Sequence, residues 1–321
     1  MAVAVLLVGA LLVVRGVADG GAGAAASTPR ASGVPGAPDL TGAGSRYGQV
    51  SLVALRARAA GAQVTDEGLT FDGIERAYLV IAPPKVTQPL PMLLVLHGVN
   101  ESATQEVIRD EFLPLAAAGK AIVVYPGGYD ESWNAGAESC CGSAGTLGID
   151  DTGFVAQVVS QVRAANKIST VDLVGYSNGG KLAFDLMCKE PALFGAVAVV
   201  AAVPIAACRA STQPAKPIYI SVGMQDTKLP MDTASQAAPV AFAAGLATWR
   251  ARDGCDSSST SHSVGTATIT TWGRCADGTR VAGASYTGLA HDWPASGQVG
   301  VAASGATLIW DFFSMLGSPS Q

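Results

Sequence analysis

The sequence predicts an α/β protein: a mostly parallel sheet with helices on both faces. Strand-like and helix-like runs alternate from about residue 76 to residue 316. Two runs, GAVAVVAAV (195–203) and PIYISVG (217–223), are apolar throughout, as strands buried on both faces must be. The pentapeptide GYSNG (175–179) sits where an apolar strand should turn into a helix.

The elements follow in chain order. RAYLVIAP (76–83) and PMLLVLHG (91–98) read as strands, and EVIRDEFLPLAAAG (106–119) as a helix that Pro114 kinks or shifts. AIVVYP (121–126) is a strand and DDTGFVAQVVSQVRAAN (150–166) an amphipathic helix. TVDLVG (170–175) is the next strand, followed by a helix that starts at Asn178 and stops before Pro191. After the two apolar strands come a helix (239–254), two strands (266–275 and 281–288) and a closing helix (301–316). The Ser/Thr-rich SSSTSHSVG around His262 reads as a solvated loop.

Composition narrows the function classes. The chain has 321 residues, 49% hydrophobic and 14% charged, which is globular rather than disordered. A net charge of −5 without Lys/Arg clusters argues against nucleic acid. The first 14 residues are apolar but fall short of a membrane span of about 20. With the small residues behind them they resemble a secretory signal, although no Lys or Arg precedes the run. Residues 1–26 are therefore expected to be a signal peptide or an apolar anchor, 27–48 a flexible Gly/Ala/Pro-rich leader, and 49–321 a single catalytic domain. Export and a monomeric state are expected, with no stable membrane span.

Six cysteines form an even set, read as disulfides in an exported protein. Local order favours Cys255 with Cys275 and Cys188 with Cys208, leaving Cys140 and Cys141 as a vicinal pair or as buried thiols. None has zinc-ligand spacing, and with three histidines no metal site and no other cofactor are expected.

A serine on a sharp strand-to-helix turn presents its hydroxyl above the sheet, but it needs a base. His291, in GLAHDWPA after a strand, is the candidate; His97 is read as a structural turn residue and His262 as part of a solvated loop. The histidine needs a carboxylate, and Asp226 directly follows the strand PIYISVG. Ser177, Asp226, His291 is the chain order of an α/β-hydrolase. An oxyanion forming on such a serine needs two backbone N–H donors, expected from Asn178 and from Val99 after LLVLHG. Asp292 is expected to point away from the base.

LLVLHGVN, SWNAGAESCCG, DDTGFV, GYSNGG, GMQDTKLP and GLAHDWP occur together in this order. The set resembles the α/β-hydrolase esterase family that holds polyhydroxybutyrate depolymerases, feruloyl esterases and acetylxylan esterases, over residues 70–317. The resemblance implies hydrolysis of carboxylic esters through an acyl-enzyme, without metal or organic cofactor, on a small-molecule, oligomeric or polymeric ester. It implies that Ser177, Asp226 and His291 are the triad, and it makes Trp133, Trp293 and Tyr176 candidate pocket walls. Val99 stands where the family often has cysteine, and GMQD replaces the more usual HGTxD. Asp150 and Asp151 match the family's acidic pair before a helix, and helix N-capping is the favoured reading of them. A serine peptidase of the same fold and a catalytically silent binding protein are the alternatives.

Overall fold

The computed structural model describes residues 43–136, 140–204, 214–229 and 237–316. Among the described residues ten strands form one sheet: β1 (Gln63–Phe71), β2 (Ile74–Ala82), β3 (Leu90–Leu96), β4 (Ile122–Pro126), β5 (Ile168–Tyr176), β6 (Ala196–Val200), β7 (Ile218–Gly223), β8 (Thr260–Val264), β9 (Ala267–Trp272) and β10 (Val281–Tyr286). The helices are α1 (Ala43–Ala60), α2 (Ala103–Arg109), α3 (Leu113–Ala117), α4 (Ser143–Leu147), α5 (Asp151–Ala165), α6 (Asn178–Lys189), α7 (Ala238–Arg252) and α8 (Gly305–Leu316). The strand order is β1-β2-β4-β3-β5-β6-β7-β10-β9-β8. The run β4-β3-β5-β6-β7-β10 is parallel, and antiparallel pairs finish both edges. This is the α/β-hydrolase fold.

Alternation along the central strands builds two cores. Met92, Leu94 and Leu96 of β3 and Leu173 of β5 face one side, where residues of α5, α6 and α7 cover them. Leu93 and Val95 of β3 and Val174 of β5 face the other, under α1, α2, α3 and α8. A strand with a helix layer on each face can spend both of its faces on apolar side chains, which is why these strands lack polar alternation.

Four readings differ from the structure. The helix read over 106–119 is two helices. The chain breaks at Asp110, whose Oδ1 accepts the Phe112 N–H at 3.0 Å, and Glu111 takes a left-handed φ of 64°. Pro114 falls in the first turn of α3, where its missing N–H costs nothing. The segment read as a loop around His262 carries β8, paired with β9 at the sheet edge. Strand β1 has no counterpart among the expected strands. β8 is almost wholly exposed and β1 buries only Leu69, so neither carries an apolar run to announce it. Helix α1 begins at Ala43, inside the stretch expected as leader. The expected signal segment lies outside the described residues. Among the described residues no helix is long and apolar enough to cross a membrane.

The disulfides include Cys255–Cys275 and the adjacent pair Cys140–Cys141. Cys188 is disulfide-bonded as well, and Cys208, its expected partner, lies outside the described residues.

A buried ion pair ties the sheet to α5. Arg76 of β2 donates to Asp151 Oδ1 at 2.7 Å and to the Gly127 carbonyl at 3.1 Å, and its guanidinium lies 3.8 Å from the centroid of the Phe154 ring. Asp151 Oδ2 accepts the Asn134 N–H at 2.7 Å. Both side chains are almost wholly buried, 3% and 0% exposed. Asp150 caps the helix by accepting the Gly153 N–H at 2.9 Å. The acidic pair thus divides its work between a cap and a buried anchor. Removing one partner of a buried pair strands the other charge without water. Asp151→Ala is expected to cost about 3–5 kcal/mol in urea unfolding, and Asp150→Ala about 1 kcal/mol. Equal losses from the two substitutions would contradict this division.

Candidate active site

Ser177 closes β5 and opens α6. Its backbone has φ 51° and ψ −115°, a region that a serine enters only under constraint. The constraint is the closeness of the crossing. A Cβ on Gly179 would lie 2.4 Å from the Leu96 carbonyl oxygen of β3, and one on Gly175 would lie 2.4 Å from the Gly179 carbonyl oxygen. Those two glycines let α6 start directly over the ends of β3 and β5.

The turn brings Ser177 Oγ to 2.8 Å from His291 Nε2. His291 Nδ1 lies 2.7 Å from Asp226 Oδ2. A carboxylate only accepts, so Nδ1 carries the proton and Nε2 is left to accept from the serine hydroxyl. Asp226 Oδ1 takes two backbone N–H bonds, from Lys228 at 2.8 Å and Leu229 at 3.1 Å. Asp226 is buried, and backbone bonds from Met224 to Tyr286 and from Gln225 to Leu289 lock its loop to the histidine loop. All three groups follow parallel strands at their C-terminal ends: β5, β7 and β10. Asp292 turns away, accepting the N–H of Trp293 and a bond from Gln298.

The loop after β3 is held by His97. The Gly128 N–H donates to His97 Nε2 at 2.9 Å, so Nδ1 carries the ring proton and donates to the Gly98 carbonyl at 2.7 Å. Burial pushes His97 down to about 4, which keeps the ring neutral in this tautomer. Val99 follows at the half-buried end of the loop. Asn178 begins α6, where the first N–H groups have no partner within the helix. Its side chain turns inward and exchanges hydrogen bonds with the Trp133 backbone, N–H to Oδ1 at 2.8 Å and Nδ2 to C=O at 3.2 Å.

The aromatic residues expected as pocket walls are placed differently. Trp133 and Trp293 are fully buried, with 0% of their surface exposed, and Tyr176 is buried too. Trp133 lies under the loop after β3. Its ring centroid is 4.9 Å from that of His97, and its indole N–H donates to the His97 carbonyl at 2.9 Å. Trp293 packs edge-on against Phe112 and Tyr176. The Tyr176 hydroxyl donates to the His291 carbonyl at 3.1 Å. These rings support the loops from below, because an aromatic next to the strand ends fills core before it can face solvent.

Reading the sequence missed Glu101 and Arg109. Glu101 accepts the Gly98 N–H at 2.8 Å and is paired with Arg109. Glu101 stands four residues after His97 in HGVNES, and Arg109 near the start of the helix expected over 106–119; neither position alone signals a contact with the site.

Comparison with known proteins places the chain in a group. The model of the family described as "Dienelactone hydrolase family" matches residues 78–246, just over half of the chain. A bifunctional acetylxylan esterase/xylanase from Neocallimastix patriciarum is 28% identical over 149 residues, 41% of this chain and 21% of that protein. The match spans between about a fifth and under half the length of such curated relatives. Among solved structures, an acetyl xylan esterase from Aspergillus awamori superposes with a TM-score of 0.55 at 16% identity, covering 73% of this chain and 96% of that one. The poly(3-hydroxybutyrate) depolymerase LpqC from Bordetella parapertussis gives 0.51 at 19% identity, covering 85% and 95%. At such identities these two likenesses speak to the fold.

The neutral His97 carries a pH signature. Its folded-state value of about 4 lies below the ordinary 6.5, so as pH falls from about 6.5 to about 4 the unfolded chain gains a proton that the folded chain refuses. Stability attributable to His97 is therefore intact above about 6.5 and is lost towards about 4. Relative to His97→Gln, the wild type is expected to lose up to about 3 kcal/mol across that window. Urea titrations of both proteins at several pH values check this, and parallel curves would exclude a buried neutral imidazole.

Proposed function

The chain belongs to the dienelactone hydrolase family, and from that premise we propose that it is an exported serine hydrolase of carboxylic esters acting through an acyl-enzyme. One observation carries the reading: the hydrogen-bonded run from Ser177 Oγ through His291 to Asp226, with its serine on a constrained turn beside the start of α6.

In this reading His291 Nε2 takes the Ser177 proton as Oγ attacks the ester carbonyl. Asp226 holds the tautomer and stabilises the imidazolium that results. The Val99 and Asn178 N–H groups receive the negative charge on the tetrahedral oxygen. His291 then gives its proton to the departing alcohol, leaving the acyl group on Ser177. In the second half His291 takes a proton from water, the hydroxide displaces the acyl group as the acid, and the serine regains its proton.

The substrate class we propose is an acetyl, feruloyl or hydroxyalkanoate ester. The motif set and the relatives named for acetylxylan and poly(3-hydroxybutyrate) support it. Export is supported by the apolar first residues and by the disulfides, which persist in oxidising compartments. The proposed catalytic unit is a single domain over residues 49–321, preceded by the proposed leader and signal or apolar anchor.

Ser177→Ala is expected to lower kcat at least about 10⁴-fold while the protein stays folded. A panel of p-nitrophenyl acetate, methyl ferulate, acetylated xylan and hydroxybutyrate oligomers reads this out, and the best substrate names the subclass. A folded wild type that turns over none of these esters and takes no fluorophosphonate label at Ser177 would overturn the proposal.

A further inference from the structure

An ion pair outside the Ser177–His291–Asp226 run touches three of the loops that build the site. Arg109, at the end of α2, grips both oxygens of Glu101, one at 2.7 Å, and also reaches the buried Glu106. Glu101 Oε2 accepts the Gly98 N–H at 2.8 Å. The Arg109 guanidinium lies 3.9 Å from the centroid of the Tyr176 ring, the residue before the nucleophile. Tyr176 in turn donates to the His291 carbonyl at 3.1 Å. One cation thus contacts the loop after β3 through Glu101, the serine turn directly, and the histidine loop through Tyr176.

We propose that Glu101 and Arg109 are positioning residues that aim the Val99 N–H at the ester oxygen. This rests on the esterase reading above. The peptide planes explain how the aim is set. A trans peptide fixes its N–H opposite its C=O. The His97–Gly98 peptide is held at both ends, its carbonyl by the Trp133 indole N–H at 2.9 Å and its N–H by Glu101. The carbonyl of the next peptide, Gly98–Val99, is held by His97 Nδ1–H at 2.7 Å, which turns the Val99 N–H the other way. Of these anchors, Glu101 is the only one that comes from a flexible, partly exposed side chain, 23% accessible. The two-pronged grip of Arg109 is what stops that carboxylate from rotating away. Burial pushes the Glu106 carboxyl up, and Glu101 is the carboxylate that Arg109 grips at both oxygens. Gly98 has to be glycine for the loop to sit so close, since a Cβ there would lie 2.7 Å from Glu101 Oε2 and 2.9 Å from the Tyr176 ring.

The test compares Glu101→Ala, Glu101→Gln, Arg109→Gln and Arg109→Lys with the wild type. Losing one oxyanion donor outright costs about 10²–10³ in kcat. A mis-aimed donor is expected to cost about 10–100-fold in Glu101→Ala and Arg109→Gln, with KM within about twofold, because the donor works in the transition state. Glu101→Gln keeps an oxygen for the Gly98 N–H and should recover most of kcat. Arg109→Lys keeps the charge without the fork and should recover little. Amide hydrogen exchange supplies a second readout that needs no turnover. In Glu101→Ala the Gly98 N–H should exchange at least about tenfold faster than in the wild type, with Val99 following, as expected for a lost hydrogen bond.

A kcat within twofold of wild type in Glu101→Ala, or unchanged exchange at Gly98 and Val99, overturns the inference. So does a kcat loss that Glu101→Gln does not relieve while unfolding temperature falls in parallel, since that pattern belongs to a merely structural pair. Should the alanine variant fail to fold, Glu101→Gln and Arg109→Lys decide the question by their contrast. Should the wild type hydrolyse no ester, the functional reading fails and the exchange measurement alone decides whether Glu101 holds the loop.

Discussion

Everything at the site depends on how closely α6 crosses the ends of β3 and β5. The Gly179 backbone comes so near the Leu96 carbonyl that no side chain fits between them, and Gly175 meets the same helix turn. That contact forces Ser177 into a positive φ. A serine held there cannot fold back onto the helix as an ordinary cap, and its side chain makes no capping bond. Its hydroxyl is therefore left for His291. The backbone strain, of order 1–3 kcal/mol, is sustained by the two apolar cores that press helix and sheet together.

Around this crossing the structure repeats one device: polar groups buried under the loops, each satisfied by a backbone partner. His97 uses both ring nitrogens on backbone atoms, Asn178 exchanges bonds with the Trp133 backbone, and Asp226 collects two N–H groups besides the imidazole. Burial makes such groups costly when unpaired and rigid when paired. The described parts of the loops after β3, β5, β7 and β10 are irregular, and these hydrogen bonds tie them to their neighbours. Reactive geometry of a few tenths of an ångström needs that second layer, because loops by themselves drift.

The buried tryptophans fit the same scheme. Trp133 and Trp293 lie close in sequence to functional groups, which invites their reading as substrate walls. Their burial instead makes them the packing on which the His97 and His291 loops rest.

Much of this protein was legible in its residues. The alternation of apolar strands with helices announced the parallel sheet, because a strand covered on both faces needs apolar side chains on both. GYSNG after TVDLVG, with Asp226 and His291 each placed just past a later strand, announced which groups would meet, since parallel strands bring their C-terminal ends together. Local pattern was silent where stability comes from elsewhere. Strands β1 and β8 are mostly exposed edge strands, β1 burying only Leu69, so no apolar run marks them. The break at Asp110 depends on a side-chain bond to the Phe112 N–H, which period-counting does not register. Only the tertiary structure decided that both tryptophans turn inward and that Arg109 reaches Glu101, Glu106 and the Tyr176 ring at once. Such contacts join residues from separate elements, and their formation depends on where helices and loops come to rest in three dimensions.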